Sequence, residues 1–565
     1  MDNNSSNYAL FSSLSWGLNE FSTSGLVSVQ CTFLVLCLFL SLYIVKTKGK
    51  SRGMNEQEPA LPPGPTPWPI IGNIPEILRR KNKPTFRWIH GLMKELNTDI
   101  ACIKLANTHV IPVTSPEIAR EFLRKHDSVF GSRPITMATE YSSRGFLTIA
   151  VVPWGDQWKK MKKVVASEIV TPARLSWLLE KRNEEADNLV RFIYNQCKSN
   201  GGSSAVINLR LAMRQYTGNV IRKMMFNRRY FGEGRKDGGP GHEEVEHVES
   251  IFTVLNHLYS FILSDYIPWL RPLDLEGHEK IVSEAMRIIN GYNDPIVDER
   301  VQDWKDGKRK EPEDLLDALI LAKDLKGKVV LSVEEIKAIC TVRPFYHEIM
   351  FATVDNPANA AEWAMAEMMN RPKTLGKAME EIERVVGNQR WVQESDIPRL
   401  NYVKASARES LRLHPIAPFN LPHVSNVDCV VAGYFIPKGS HVLLSRVGLG
   451  RNPKVWDEPS VFKPERHLGD DSDEEIDLTE TKLRFISFST GRRACMGVAL
   501  GSAMIVMLLG RLIQGFSWSV PPNEAEIDLS ESKHDLFLAK PLHAMATPRL
   551  PDELYSPYDK KSFHM

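Results

Sequence analysis

No two of the seven cysteines, at positions 31, 37, 102, 197, 340, 429 and 495, stand in a C-x-x-C or other metal-finger spacing. Their odd number and scatter read as reduced thiols rather than a disulfide framework. Surplus charge is lacking too: a formal net charge of +2 over 565 residues gives no reason to expect nucleic acid. No internal repeat is present, and nothing after residue 61 divides the chain into separate domains. What is present is ordinary globular composition, 43% apolar and 25% charged, with ample material for a core.

Lysine and arginine are also absent from residues 1–24, and that absence carries an address. Residues 25–45 are almost unbroken apolar sequence, with Gln30 the most polar member. As a helix they span about 30 Å, one hydrocarbon core. Lys46, Lys48, Lys50 and Arg52 follow at once, so the positive-inside rule puts everything after residue 45 in the cytosol. The apolar run is too long for a cleaved signal and lacks a basic leader. We expect a single-pass signal anchor in the endoplasmic reticulum membrane, with residues 1–24 lumenal. Asn3 and Asn4 each begin an N-x-S sequon there. Residues 46–69 form a polar linker ending in L-P-P-G-P-T-P-W-P, whose prolines make a stiff extended hinge. Residues 70–565 read as one large, mainly α body with small β-sheets. Strand-like pieces fall at 100–105 and 442–445, and loops are expected at 232–241, 304–314 and 469–475.

The most informative stretch is 488–497, F-S-T-G-R-R-A-C-M-G, followed directly by a helical run. It has the form F-x-x-G-x-R-x-C-x-G. At ordinary residue usage a chance match is on the order of one in ten thousand. Cys495 at a helix N-terminus faces unpaired N–H groups and a dipole that favour the thiolate. Gly491 and Gly497 allow a flat cofactor to approach the backbone, and Arg493 can meet its carboxylates. Such a thiolate suits the axial position of a haem iron. Most lone cysteines before helices are structural, but the five fixed residue types favour haem b with Cys495 as metal ligand. Upstream, Glu409 and Arg412 share a helix face at i, i+3, and residues 464–466 read P-E-R.

Together these residues resemble the cytochrome P450 superfamily from about Leu61 to the C-terminus. The resemblance implies a single large P450 fold, haem-thiolate monooxygenase chemistry using O2, and electrons from NADPH through an NADPH–cytochrome P450 reductase. It implies that Glu409, Arg412 and Arg466 form a buried structural lock, with His467 where the family often has phenylalanine. It implies haem contacts from Phe488, from Trp158 and Lys162 (lysine replacing the usual arginine), and from His423, at a position often arginine. Lys159, Lys160, Lys162 and Lys163 form a basic cluster suited to an acidic reductase.

In residues 351–360, F-A-T-V-D-N-P-A-N-A, most of the family has an acid followed by a threonine that relays protons to the oxygen site. Here Asp355 keeps the acid, and Asn356 replaces the threonine. Asparagine donates and accepts but is no hydroxyl relay. Pro357 bends a helix expected from about Glu334 to Met369. The D-N-P-x-N-A-x-E-W-A string, and F-N-L-P-H at 419–423, are similar to the plant amino-acid N-monooxygenases that make aldoximes. Arg343-Pro344 departs from that pattern. The resemblance implies two N-hydroxylations of an L-amino acid, then loss of water and carbon dioxide. Arg133, Phe146, Thr353, Phe419 and Asn420 are candidate pocket residues, Arg133 for a carboxylate. Phenylalanine is favoured as substrate over valine and isoleucine, in cyanogenic glucoside or related defence metabolism. The rivals are a carbon-hydroxylating monooxygenase, an isomerase or dehydratase that needs no dioxygen, and, from a different class, a haem-binding sensor without catalysis.

Overall fold

The computed structural model describes residues 59–79, 84–199, 203–340, 354–469, 475–533 and 535–555. The expected membrane span, Thr353 and the Arg343-Pro344 segment lie outside the described residues.

At the centre runs the helix Asn356–Met369. Every residue from Pro357 onward is buried, including five alanines and Trp363. A helix with no polar face can only be a core element, and its small side chains let neighbours approach closely. Those neighbours are the helices Leu209–Phe226, Asn401–Leu413 and Val498–Gly515. Trp363 donates from Nε1 to the Leu536 carbonyl at 3.1 Å and stacks flat on His414, ring centroids 3.7 Å apart. Helix Val333–Cys340 precedes it, and the join expected between the two lies outside the described residues.

Among the described residues Val498–Gly515 is the one helix long and apolar enough to cross a membrane, yet Met504 to Gly515 are all buried. It is a core helix whose N-terminus aims at the site.

Sheet is minor, as expected. Four strands run in the order Ile103–Leu105, Thr108–Val113, His441–Leu444, His423–Val424. The middle pair is parallel, with Val110 opposite His441 and Val113 opposite Leu444. Just beyond, Phe419 bridges Ser445 and the Arg446 amide donates to the Pro418 carbonyl at 2.9 Å. That edge brings residues 418–420 alongside Arg446. A three-stranded sheet, Ala205–Asn208, His543–Pro548, Phe516–Ser519, and a hairpin, Cys429–Val431 with Tyr434–Ile436, complete the β-structure.

Candidate active site

The cysteine loop is a tight backbone turn. The Cys495 amide donates to the Phe488 carbonyl at 2.8 Å and Ala494 to Gly491 at 3.1 Å. Two left-handed residues make the turn, Ser489 at φ +61° and Gly491 at φ +80°. A Cβ on Gly491 would meet the Leu123 carbonyl oxygen at 2.5 Å and Asp127 Oδ1 at 2.7 Å, so glycine is required there. Asp127 braces the turn, accepting from the Arg492 amide at 2.9 Å and from Arg492 Nε at 3.0 Å. Gly497 immediately precedes helix Val498–Gly515. The helix thus begins three residues after the sulfur-bearing position, and its free N–H groups and dipole favour an anion there.

Cys495 lies in the wall of a cavity of about 760 Å³ that also includes Trp158, Lys162, Phe419, Asn420, Phe488 and Arg493. The same wall holds Asp355, Asn356 and Gly497. Trp158 sits on helix Asp156–Glu168, buried with Met161 and Val165. Its indole Nε1 is sealed from water without a partner among the described residues, an orphaned donor on a residue of the same cavity wall as the thiol. Lys162 crosses the Trp158 ring at 5.1 Å and donates to the Arg492 carbonyl at 3.0 Å. A Cβ on Gly497 would touch nothing nearer than Cys495 Sγ, at 3.9 Å, so the backbone is open to a planar group. These features fit a haem: Cys495 would ligate its iron, while Trp158 and Lys162 would receive its carboxylates. When bound, it supplies the redox chemistry, with the thiolate pushing electron density toward the iron.

Behind the loop, Glu409 is fully buried at the centre of the lock. It accepts from Arg412 Nε and Nη2 at 2.8 and 2.7 Å, and from Arg466 Nε at 3.0 Å. His467 is 2.8 Å from its other oxygen, which gives the histidine a place in the lock. Burial alone would raise the Glu409 carboxyl; the bonds from Arg412 and His467 outweigh it and hold the group at about 2. Arg412 spends its remaining N–H groups on the Gly450, Pro459 and Val461 carbonyls, at 2.5, 2.8 and 3.2 Å.

Opposite, Val354 and Asp355 form a wide helical turn before Asn356. The Thr217 hydroxyl caps the Val354 carbonyl at 2.7 Å. Burial pushes Asp355 up to about 7, against the opposing charge of Arg214, 3.7 Å away. A carboxyl poised near neutrality in a cavity wall is suited to hold and release a proton.

Some residues stand differently from the sequence-based expectation. Arg133 lines the cavity as expected, but it is buried with Nε on the Ala150 carbonyl and Nη1 on the Leu421 and Pro422 carbonyls, at 2.7–2.9 Å, so these groups fasten loops together. Arg493 likewise spends three N–H groups on the Gly131, Ile149 and Val152 carbonyls. His423 is not in the cavity wall. Burial holds it neutral, Nδ1 bonding the Phe130 carbonyl at 2.8 Å. Phe146, at φ +67°, packs into the core instead of the cavity. Of the basic cluster, Lys159 pairs with Asp156 and Lys160 with Glu335, leaving Lys163 exposed. Arg446, in the cavity wall, carried no sequence signal of its own.

A thiol at a helix mouth, a cavity over it and a buried carboxylate lock behind it define a haem-thiolate protein. The chain belongs to the cytochrome P450 family, whose sequence pattern it matches over residues 62–547. It shares 63% identity over 528 residues with the phenylalanine N-monooxygenase of Arabidopsis thaliana, 93% of this chain and 98% of that protein. With the tyrosine N-monooxygenase of Sorghum bicolor it shares 57% over 497 residues, 88% of each chain. With valine N-monooxygenase 2 of Manihot esculenta it shares 53% over 539 residues, 95% of this chain and 97% of that one. Within the P450 family the chain therefore stands with the amino-acid N-monooxygenases.

Proposed function

We propose that the amino acid is L-phenylalanine and the product phenylacetaldoxime. Two oxygen atoms are added at the amino nitrogen in successive hydroxylations, and loss of water and carbon dioxide leaves the oxime. The observation carrying the substrate is the 63% identity, across nearly the whole chain, to a relative named for phenylalanine. The aromatic side chain of Phe419 in the cavity wall agrees with it. Valine and isoleucine are the second reading, supported by the similarity to the valine enzyme.

In this reading Asp355 supplies protons and Asn356 orients the substrate or a bound water, since its amide does not relay as a hydroxyl does. Electrons come from NADPH through a reductase drawn to the surface around Lys163. Residues 25–45 anchor the chain in the endoplasmic reticulum membrane, 46–69 serve as the hinge, and 70–565 work in the cytosol. The aldoxime feeds cyanogenic glucosides or related defence compounds.

The test is an assay in microsomes co-expressing this chain and a plant reductase, with NADPH and each L-amino acid supplied separately. Phenylacetaldoxime from phenylalanine is expected. Oximes only from valine or isoleucine move the substrate, and no oxime despite an intact 450 nm carbon monoxide band overturns the reading.

A further inference from the structure

Arg446 opens the short helix Arg446–Gly450, directly after the strand His441–Leu444 and the capping residue Ser445. It lies in the wall of the cavity that contains Cys495. Among the described residues one bond holds its side chain: Nη2 donates to Asn420 Oδ1 at a long 3.3 Å. Nε is sealed from water and has no hydrogen-bond partner among the described residues. Among the described residues no carboxylate pairs with it.

The other guanidiniums of the wall are committed. Arg133 and Arg493 each hold three backbone carbonyls, and Arg492 is clamped to Asp127. A buried arginine left with one long bond is costly unless an anion completes it. Its planar fork matches a carboxylate best, through two parallel N–H bonds. Asn420 is itself fixed, donating to Ser489 Oγ of the cysteine loop at 3.2 Å, so the fork is oriented before any ligand arrives.

We propose that Arg446 is the carboxylate receptor of this cavity, with Asn420 as its positioning residue. Two carboxylates can reach such a wall: the α-carboxylate of the amino-acid substrate and a propionate of the haem. The first rests on an amino acid being the substrate; the second does not. Capture of the α-carboxylate would fix the amino group relative to the reacting centre, whatever the side chain.

The experiment uses the full-length, haem-loaded protein with Arg446→Gln and Arg446→Lys. Spectral binding is titrated with L-phenylalanine and with 2-phenylethylamine, the same molecule without its carboxylate. If another amino acid yields the oxime in the wild type, that acid and its amine replace them. Haem loss to apomyoglobin is timed in parallel. For the substrate carboxylate, Arg446→Gln weakens amino-acid binding roughly ten- to a hundredfold, as loss of a charged hydrogen bond does. Amine binding and haem loss stay unchanged, and Arg446→Lys recovers part of the affinity. For the propionate, haem loss quickens by a similar factor while the ratio of acid to amine affinity is unchanged. An unchanged ratio together with unchanged haem loss overturns the proposal, as does equal weakening for acid and amine with haem retained. Wild-type protein that makes no oxime from any amino acid refutes the substrate reading alone; a silent Arg446 leaves wild-type turnover intact.

Discussion

Arg214 holds its guanidinium 3.7 Å from the Asp355 carboxylate while stacking on the Phe252 ring at 3.7 Å. The separation is too long for a strong hydrogen bond, so the arginine only partly offsets the burial that raises Asp355 to about 7. The acid is therefore protonated below about pH 7 and ionised above it. If Asp355 delivers protons, oxime formation falls as pH rises through about 7. Asp355→Asn should lower turnover about a hundredfold or more, in the range of general acid catalysis, and abolish that limb of the profile. Arg214→Met removes the charge that favours ionisation, so the limb should move to higher pH. A profile unchanged in both variants places proton delivery elsewhere.

The lock around Glu409 makes a different kind of prediction. Removing its charge leaves Arg412 and Arg466 facing a neutral group in the interior, and breaking a buried pair costs about 3–5 kcal/mol. Glu409→Gln should lower the thermal midpoint and lose the 450 nm band, with no specific change in substrate preference among molecules that still hold haem. The pH dependence has a definite sign. With the carboxyl held at about 2, below its ordinary value of 4.5, the stabilisation is present above pH 4.5 and lost as pH falls toward 2. Acid unfolding of the variant should lack this contribution.

Two glycines of the cysteine loop are not equivalent. Alanine at 491 must adopt φ near +80° and displace either the Leu123 carbonyl or Asp127, the residue bracing Arg492. Strain of that kind costs about 1–3 kcal/mol. Alanine at 497 meets only Cys495 Sγ, at 3.9 Å. Thermal melts of Gly491→Ala and Gly497→Ala without haem should therefore separate, the first destabilised and the second close to wild type. Equal melts would remove the case for backbone strain at 491.

The residues legible in the sequence are those whose chemistry is local. Cys495 announced itself through a ten-residue pattern, and Glu409 with Arg412 through one helix turn. The lock's third member, Arg466, showed in the sequence as part of a P-E-R triplet, and its place beside Glu409 came only through the family resemblance. Long-range structure was not legible. The parallel pairing of Thr108–Val113 with His441–Leu444 joins distant parts of the chain, and no local pattern specifies it. Arg133, Arg446 and His423 show why side-chain roles are harder. Their sequence contexts are alike, polar residues beside prolines or strands, but burial and partners decide what each does. Arg133 found carbonyls, His423 lost its proton and turned to Phe130, and Arg446 found almost nothing. That last outcome is readable only as a missing partner, which a sequence does not display.

Trp158 offers the same kind of missing partner closer to the expected cofactor. Its indole N–H is buried and unbonded among the described residues, and an unsatisfied buried donor costs about 1–3 kcal/mol. Phenylalanine in its place keeps an aromatic surface against Trp154, whose ring lies 4.6 Å away, while deleting the donor. Without haem, Trp158→Phe should be as stable as the wild type or more so, because an unsatisfied group has gone. With haem the sign reverses: if the donor serves a haem carboxylate, the variant should release haem to apomyoglobin roughly tenfold faster, the loss of one charged hydrogen bond. Opposite signs in the two states are what a ligand contact predicts and a packing role does not. A variant destabilised equally with and without haem would make Trp158 a core residue, and haem release at the wild-type rate would give its N–H to some other partner.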